Sequence, residues 1–190
     1  MLFRSNSVPL YDFPSQKVTK HYIPEAPIRT SALRTLGGYA NVVALESFMD
    51  ELAAAANTDP IEFRLRHMKD PRARAVMELA AERAGWKPSV KNTAGNAGGL
   101  QGRGFAFAKY KNLACYCAVV ADVQIDRKTG AVSVQRVVSA VDAGQIINPD
   151  GVRNQIEGGI IQSISWTLME ALRHDSTRVQ TRSWADYPIM

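Results

Sequence analysis

Residues 114–144 read "ACYCAVVADVQIDRKTGAVSVQRVVSAVDAG", and their reading decides the fold. Two apolar runs rich in β-branched residues flank Asp126-Arg127-Lys128-Thr129-Gly130. Each run has the length of a strand, and the Thr129-Gly130 pair marks a tight turn, so the two form an antiparallel hairpin. Upstream, "QGRGFAFAKYKN" (101–112) reads as a further strand. Downstream, the last strand ends in "VDAGQIINPDG" (141–151), a loop with Gly144 followed by Asn148-Pro149-Asp150 as a helix start. The helix that follows runs from about Gly151 to Leu172. Its apolar stripe is Ile156, Ile160, Ile161, Ile164, Leu168 and Leu172.

The part before the sheet is helical. "GGYANVVALESFMDELAAAAN" (37–57) sets Val42, Leu45, Phe48, Met49 and Leu52 at three- and four-residue spacing, with Glu46, Asp50 and Glu51 on or near the polar side. "NTDPIEFRLRHM" (57–68) restarts a helix with Thr58 or Asp59 as cap and Pro60 at the first position. "KDPRARAVMELAAERAGW" (69–86) repeats the device, with Asp70 as cap and Gly85 as terminator. The organisation is therefore an extended entry segment and helical part over 1–86, a Gly- and Asn-rich linker over 87–100, and a sheet-plus-helix part over 101–190. The class is α+β: a helical segment, then a mainly antiparallel sheet packed on a long C-terminal helix.

Composition excludes several functions. A chain with 46% hydrophobic and 22% charged residues is globular. Net charge is +5, but the basic residues are scattered among acids, which argues against a nucleic-acid partner. No stretch approaches the ~18 apolar residues of a membrane span. The first sixteen residues lack the apolar core and cleavage site of a secretory signal. Cys115 and Cys117 sit at i and i+2 of a strand, a poor disulfide geometry, and read as small buried thiols in a reducing, cytoplasmic compartment. His21, His67 and His174 are dispersed and offer no metal site.

Two segments invite a ligand. Gly158 and Gly159 fall in the early turns of the last helix, where each costs about 1 kcal/mol relative to Ala. Either another helix or a ligand approaches the backbone there, and Gln155 offers a donor and an acceptor beside it. In "LRTLGGYA" (33–40), Arg34 stands before the Gly37-Gly38 pair at a helix start. That is a phosphate-holding arrangement or a surface Arg beside a flexible bend. No catalytic triad elbow or metalloprotease helix is present in the sequence.

Several ordered motifs then match one family. They are "ALRTLGGYANVVALESFMDELA" (32–53), "DPIEFRLRHM" (59–68), "DPRARAVMELAAERAGW" (70–86), "GRGFAFAKYKNLACYCAVVADVQID" (102–126), "VVSAVDAGQIINPDGVRNQIEGGIIQSISWTLMEAL" (137–172) and "SWADYPIM" (183–190). The chain resembles the molybdopterin-binding large subunit of the xanthine dehydrogenase/aldehyde oxidase family of molybdenum hydroxylases, in the branch that includes isoquinoline 1-oxidoreductase.

The resemblance implies an oxidoreductase that holds molybdenum on a molybdopterin dinucleotide. Such an enzyme hydroxylates aldehydes or N-heterocycles with oxygen from water, and passes electrons to [2Fe-2S] clusters on a partner subunit or domain. It places Arg34 and Gly37 in a segment that is Phe-Arg-Gly-Phe-Gly in the family and Leu33-Arg34-Thr35-Leu36-Gly37 here. It places Gln155 and Gly158 in a Gln-Val-Glu-Gly stretch that reads Gln155-Ile156-Glu157-Gly158 here. These four are the expected cofactor-binding residues. No protein metal ligand is expected, since the pterin and solvent-derived atoms supply the metal's sphere. The family's catalytic Glu lies downstream of the segment matching "SWADYPIM", so no catalytic residue is expected in this chain, and Glu157 and Glu170 are not substitutes for it. The chain thus reads as an internal piece of a larger subunit, inactive alone, whose partners are the remainder of that subunit and an iron–sulfur subunit. The alternatives are a non-catalytic assembly or cradle module and a nonfunctional remnant.

Overall fold

The computed structural model describes residues 5–26, 28, 34–88 and 100–190. Among the described residues are four α-helices and a three-stranded antiparallel sheet, so the class is α+β as read from the sequence. The chain divides into two units, Met1–Lys20 with Ala32–Gly144, and His21–Ser31 with Gln145–Met190. Apart from Lys87, Pro88 and Leu100, the expected linker lies outside the described residues.

The first unit holds helices α1 (Gly38–Ala55), α2 (Pro60–Arg66) and α3 (Pro71–Ala84), then strands β1 (Leu100–Lys109), β2 (Tyr116–Ile125) and β3 (Val132–Asp142). Both Asp-Pro pairs work as helix starts. Asp59 Oδ1 accepts from the Ile61 and Glu62 N–H groups at 3.0 and 3.1 Å, and Asp70 Oδ1 accepts from Arg72 N–H at 3.0 Å. Gly85 closes α3 with φ +63, a left-handed conformation that suits glycine.

Sheet order is β1-β2-β3. The β2–β3 turn is held by Asp126, whose Oδ1 accepts from the N–H groups of Lys128 (2.8 Å) and Thr129 (2.7 Å), and Gly130 takes φ +73. Register runs from Tyr116↔Asp142 to Asp122↔Arg136 and then slips, so that Val123 faces Val134. That slip is a β-bulge at Gln135. Helix α3 packs on β2 and β3. Its small residues Ala73, Ala80 and Ala84 let Met77 (fully buried) and Val76 reach the core shared with Phe105, Phe107, Ala118, Val120 and Ala140.

Helix α1 departs from its expected faces. Met49 is buried, but Phe48 is 54% exposed. Glu46, expected on or near the polar side, is buried instead. The reason is Arg64 of α2, which is wholly buried and draws Glu46 inward as its counter-charge.

The second unit holds α4 (Pro149–Leu168). Asn148 caps it, its Oδ1 accepting from Gly151 N–H at 2.9 Å. The helix starts two residues before its expected start and stops four before its expected end. Ser165 is the buried residue of this helix, while Ile161, Leu168 and Leu172 of the expected stripe are exposed. Past the helix end, Glu170 accepts from Ser165 Oγ at 2.7 Å and Tyr187 Oη at 2.9 Å, and Met190 N–H donates to Ser165 Oγ at 3.0 Å. No helix among the described residues is long and apolar enough to cross a membrane.

Candidate functional site

The first expected segment leads into α1. Arg34 is exposed and Gly37 half-buried. The bend expected at Gly37-Gly38 falls earlier: Gly37 has φ −82 and ψ −7, whereas Thr35 and Leu36 take φ +78 and +59. Left-handed backbone is unfavourable for side chains with a Cβ, and most of all for a β-branched residue such as Thr35. Thr35 stands where the resembled motif carries its first glycine, the residue that adopts this conformation without strain. Thr35 also serves the helix start. Its carbonyl accepts from Gly38 N–H at 3.0 Å and its Oγ1 from Tyr39 N–H at 3.1 Å. Gly38 is buried, and a Cβ there would stand 3.5 Å from Asn6 Oδ1.

The second segment lies on α4. Because that helix begins at Pro149, Gln155 and Gly158 sit in its second and third turns, not at its opening. The unsatisfied N–H groups and the dipole end belong to the first turn, where Asp150 and the Asn148 cap already answer them. Any contact made by Gln155 therefore comes from its side-chain amide. Gln155, Glu157 and Gly158 are exposed, and Gly159 is half-buried. A Cβ on Gly158 or Gly159 would meet no described heavy atom within 4 Å. Close helix packing among the described residues therefore does not account for the glycine pair. The two segments belong to different units, and each stands as a surface in its own right.

Sequence reasoning missed a buried cluster of charged side chains around Arg64. The Arg64 guanidinium donates to Glu46 Oε2 (2.9 Å), Asp50 Oδ1 (2.7 Å), the Glu46 carbonyl (2.8 Å) and the Pro60 carbonyl (3.0 Å). Glu46 also accepts from Tyr11 Oη at 2.8 Å and from Phe107 N–H at 2.9 Å. Burial pushes the Glu46 carboxyl up, against the pull of Arg64, the Phe107 N–H and the Tyr11 hydroxyl. Burial, then Glu46, pushes the Tyr11 hydroxyl up. Burial works against the Arg64 charge, and the neighbouring acids more than offset it. Three donors reach the Glu46 oxygens, and the cluster ties the entry segment, α1, α2 and β1 together. A signal was present: in "PIEFRLR" (60–66) Arg64 falls three residues after Ile61, on the apolar face of the helix.

Asp50, Thr58, Trp86, Arg103, Phe105 and Asp122 help line a surface cleft of about 720 Å³ in the first unit, whose lining includes neither Arg34 nor Gly37. Cys115 and Cys117 are free thiols, each half-buried. Among the described residues no group of three or more His, Cys, Asp or Glu could hold a metal ion.

Residues 17–190 match the family of molybdopterin cofactor-binding domains. The chain belongs to that family. Over 97% of its length it is 43% identical to a nicotinate dehydrogenase subunit of Pseudomonas putida, covering 16% of that protein. Over 95% of its length it is 35% identical to the beta subunit of isoquinoline 1-oxidoreductase of Brevundimonas diminuta, covering 22%. It is also 28% identical, over 89% of its length, to a xanthine dehydrogenase of Oryza sativa subsp. japonica, covering 12%. The chain thus spans less than a quarter of the length of these relatives. Both expected segments fall inside the family match, and the resemblance read from the ordered motifs holds across nearly the whole chain.

Proposed function

We propose that this chain forms part of the cofactor cradle of a molybdenum hydroxylase large subunit, with Arg34, Gly37, Gln155 and Gly158 meeting the molybdopterin dinucleotide. The observation that carries the reading is the exposed Gln155–Gly158 stretch of α4. Two adjacent glycines weaken a helix by about 1 kcal/mol each, and no described neighbour within 4 Å of their Cβ positions accounts for them. A ligand that rests against bare backbone does.

The residue types suit such a ligand. The Gln155 amide pairs a donor with an acceptor, as the edge of a pterin ring requires, and the Arg34 guanidinium matches a phosphate in shape and charge. When bound, the molybdenum cofactor supplies the two-electron chemistry, and this chain's residues bind and orient it. The substrate class is an aldehyde or an N-heterocycle, with water as oxygen source. Two relatives carry nicotinate and isoquinoline, both N-heterocycles, in their names. Electrons leave through [2Fe-2S] clusters of a partner subunit, and the remainder of the large subunit supplies the catalytic Glu. The chain alone is inactive. The two free thiols fit a cytoplasmic, reducing setting.

The test is molybdenum content after expression in a host that makes the cofactor, alone and with the remainder of a related large subunit. Near-stoichiometric molybdenum that falls in Arg34→Ala and Gln155→Ala supports the cradle. Equal molybdenum in those variants and wild type overturns the residue assignment, and turnover of an N-heterocycle by the chain alone overturns its inactivity.

A further inference from the structure

One cluster of charged side chains has no place in the proposed cradle. It lies at the end of the sheet where β1 ends, β2 begins and β3 ends. Asp142, the last residue of β3, accepts from Arg72 Nε at 2.7 Å and Arg72 Nη2 at 2.6 Å, the two-point geometry of a guanidinium on a carboxylate. The same carboxylate accepts from Gly144 N–H at 2.9 Å. Gly144 takes φ +78, so the chain turns sharply there.

Arg72 is itself well placed. It sits in the first turn of α3, directly after the Asp70 cap and Pro71. Its guanidinium lies 4.8 Å from the centre of the Tyr116 ring, and Lys109 Nζ lies 4.4 Å from it. Tyr116 Oη in turn donates to Asp70 Oδ2 at 2.9 Å. The fork that holds Asp142 is therefore fixed by the helix start and by an aromatic ring, and its target is the residue from which the chain leaves the sheet. Five residues beyond Gly144 the Gln155 helix begins.

We infer that Arg72 is a positioning residue: through Asp142 it fixes the Asp142–Gly144 turn from which the loop to the Gln155 helix departs. Its bearing on cofactor rests on the cradle reading above. Arg72 acts through the backbone of 142–144.

The experiment uses the full chain, expressed in a host that makes the molybdenum cofactor, with Arg72→Ala, Arg72→Lys, Asp142→Asn and, as comparator, Arg103→Ala. The comparator removes another two-point ion pair, Arg103 with Asp122, from the same sheet. Hydrogen exchange is read over 143–154 and over 116–125, and molybdenum content is read beside it. Exchange over 143–154 rises about fivefold in Arg72→Ala and Asp142→Asn, stays flat over 116–125, and is unmoved by Arg103→Ala. Arg72→Lys, which keeps the charge and loses the fork, falls between. Molybdenum content follows the same order. Unchanged exchange over 143–154, or an equal rise over 116–125 or in Arg103→Ala, overturns the inference. Raised exchange with undiminished molybdenum overturns the link to the cofactor. A wild-type chain that takes up no molybdenum, alone or with its partner, sinks the cradle reading and that link together, while the exchange data still decide the clamp.

Discussion

Replacing Arg64 with Met is the most informative single perturbation of the fold. The side chain is wholly buried, and Met fills a similar volume without charge, so the cost is electrostatic and not a cavity. Four hydrogen bonds disappear, but they do not count equally. Asp50 is half exposed and returns to water, which limits its share to about 1 kcal/mol or less. The Pro60 carbonyl is in the first turn of α2, where the backbone amide four residues on, which Met would keep, remains its donor. Glu46 is different. It stays buried, with Tyr11 and Phe107 still donating to it but no cation beside it. Removing one partner of a buried pair typically costs about 3–5 kcal/mol. For a chain of this size that is about 10 °C in melting temperature. Urea unfolding of Arg64→Met, Glu46→Gln and the double variant measures it. The double variant recovers about 2 kcal/mol relative to the sum of the singles, because the uncompensated carboxylate is gone. A single-variant cost below about 1 kcal/mol, or strict additivity, refutes the claim that this pair ties α1 to α2.

Two further outcomes separate stability from function. Gly158→Ala has open space for its methyl group and stabilises the chain by about 0.5–1 kcal/mol in urea unfolding, yet lowers molybdenum content; a variant both more stable and fully loaded removes the reason for the glycine. The Arg72 fork, followed by the Gly144 N–H, holds the Asp142 carboxyl at about 2, below its ordinary 3.8. A depressed carboxyl contributes stability that is present above the ordinary value and lost as pH falls through the depressed one. The urea-midpoint difference between wild type and Asp142→Asn is therefore full at pH 5 and narrows as pH is lowered from about 4 toward 2; a difference constant across that range excludes an ionised Asp142 as its source.

Much of the fold was legible because it rests on local chemistry. Asp-Pro caps at Asp59 and Asp70, the Gly85 terminator and the Asp126–Gly130 turn each act within a few residues, and each stands where the sequence put it. The faces of α1 were not legible from one period alone. Which side turns inward was decided by a cation on another helix, and Glu46 went with Arg64 while Phe48 turned outward. The bounds of α4 escape the sequence for a similar reason. Asn148-Pro149-Asp150 does mark its start, but the helix begins at Pro149 and not at about Gly151. Its end is set by Ser165, Glu170 and Tyr187, a contact spanning more than twenty residues that no periodicity reports.

The residues alone marked both segments as places for a ligand or for plain packing, and only the ordered motifs chose between the two. Neither segment has the spacing of a metal site, and Gln155 and Gly158 lie off the apolar stripe of their helix. What the two share is that local preference loses in both. Thr35 and Leu36 hold left-handed backbone that disfavours any side chain with a Cβ, and Gly158 and Gly159 interrupt a helix whose described neighbours do not need them. Lys111 is left-handed too, but there the tight β1–β2 connection explains it, with Asn6 Oδ1 accepting from Lys111 N–H at 3.0 Å. Unfavourable local conformations persist where something other than folding selects them, and they gather at ligand clamps and active sites. Under the cradle proposal the Arg34–Gly37 and Gln155–Gly158 segments are two such places, and the family match runs through both.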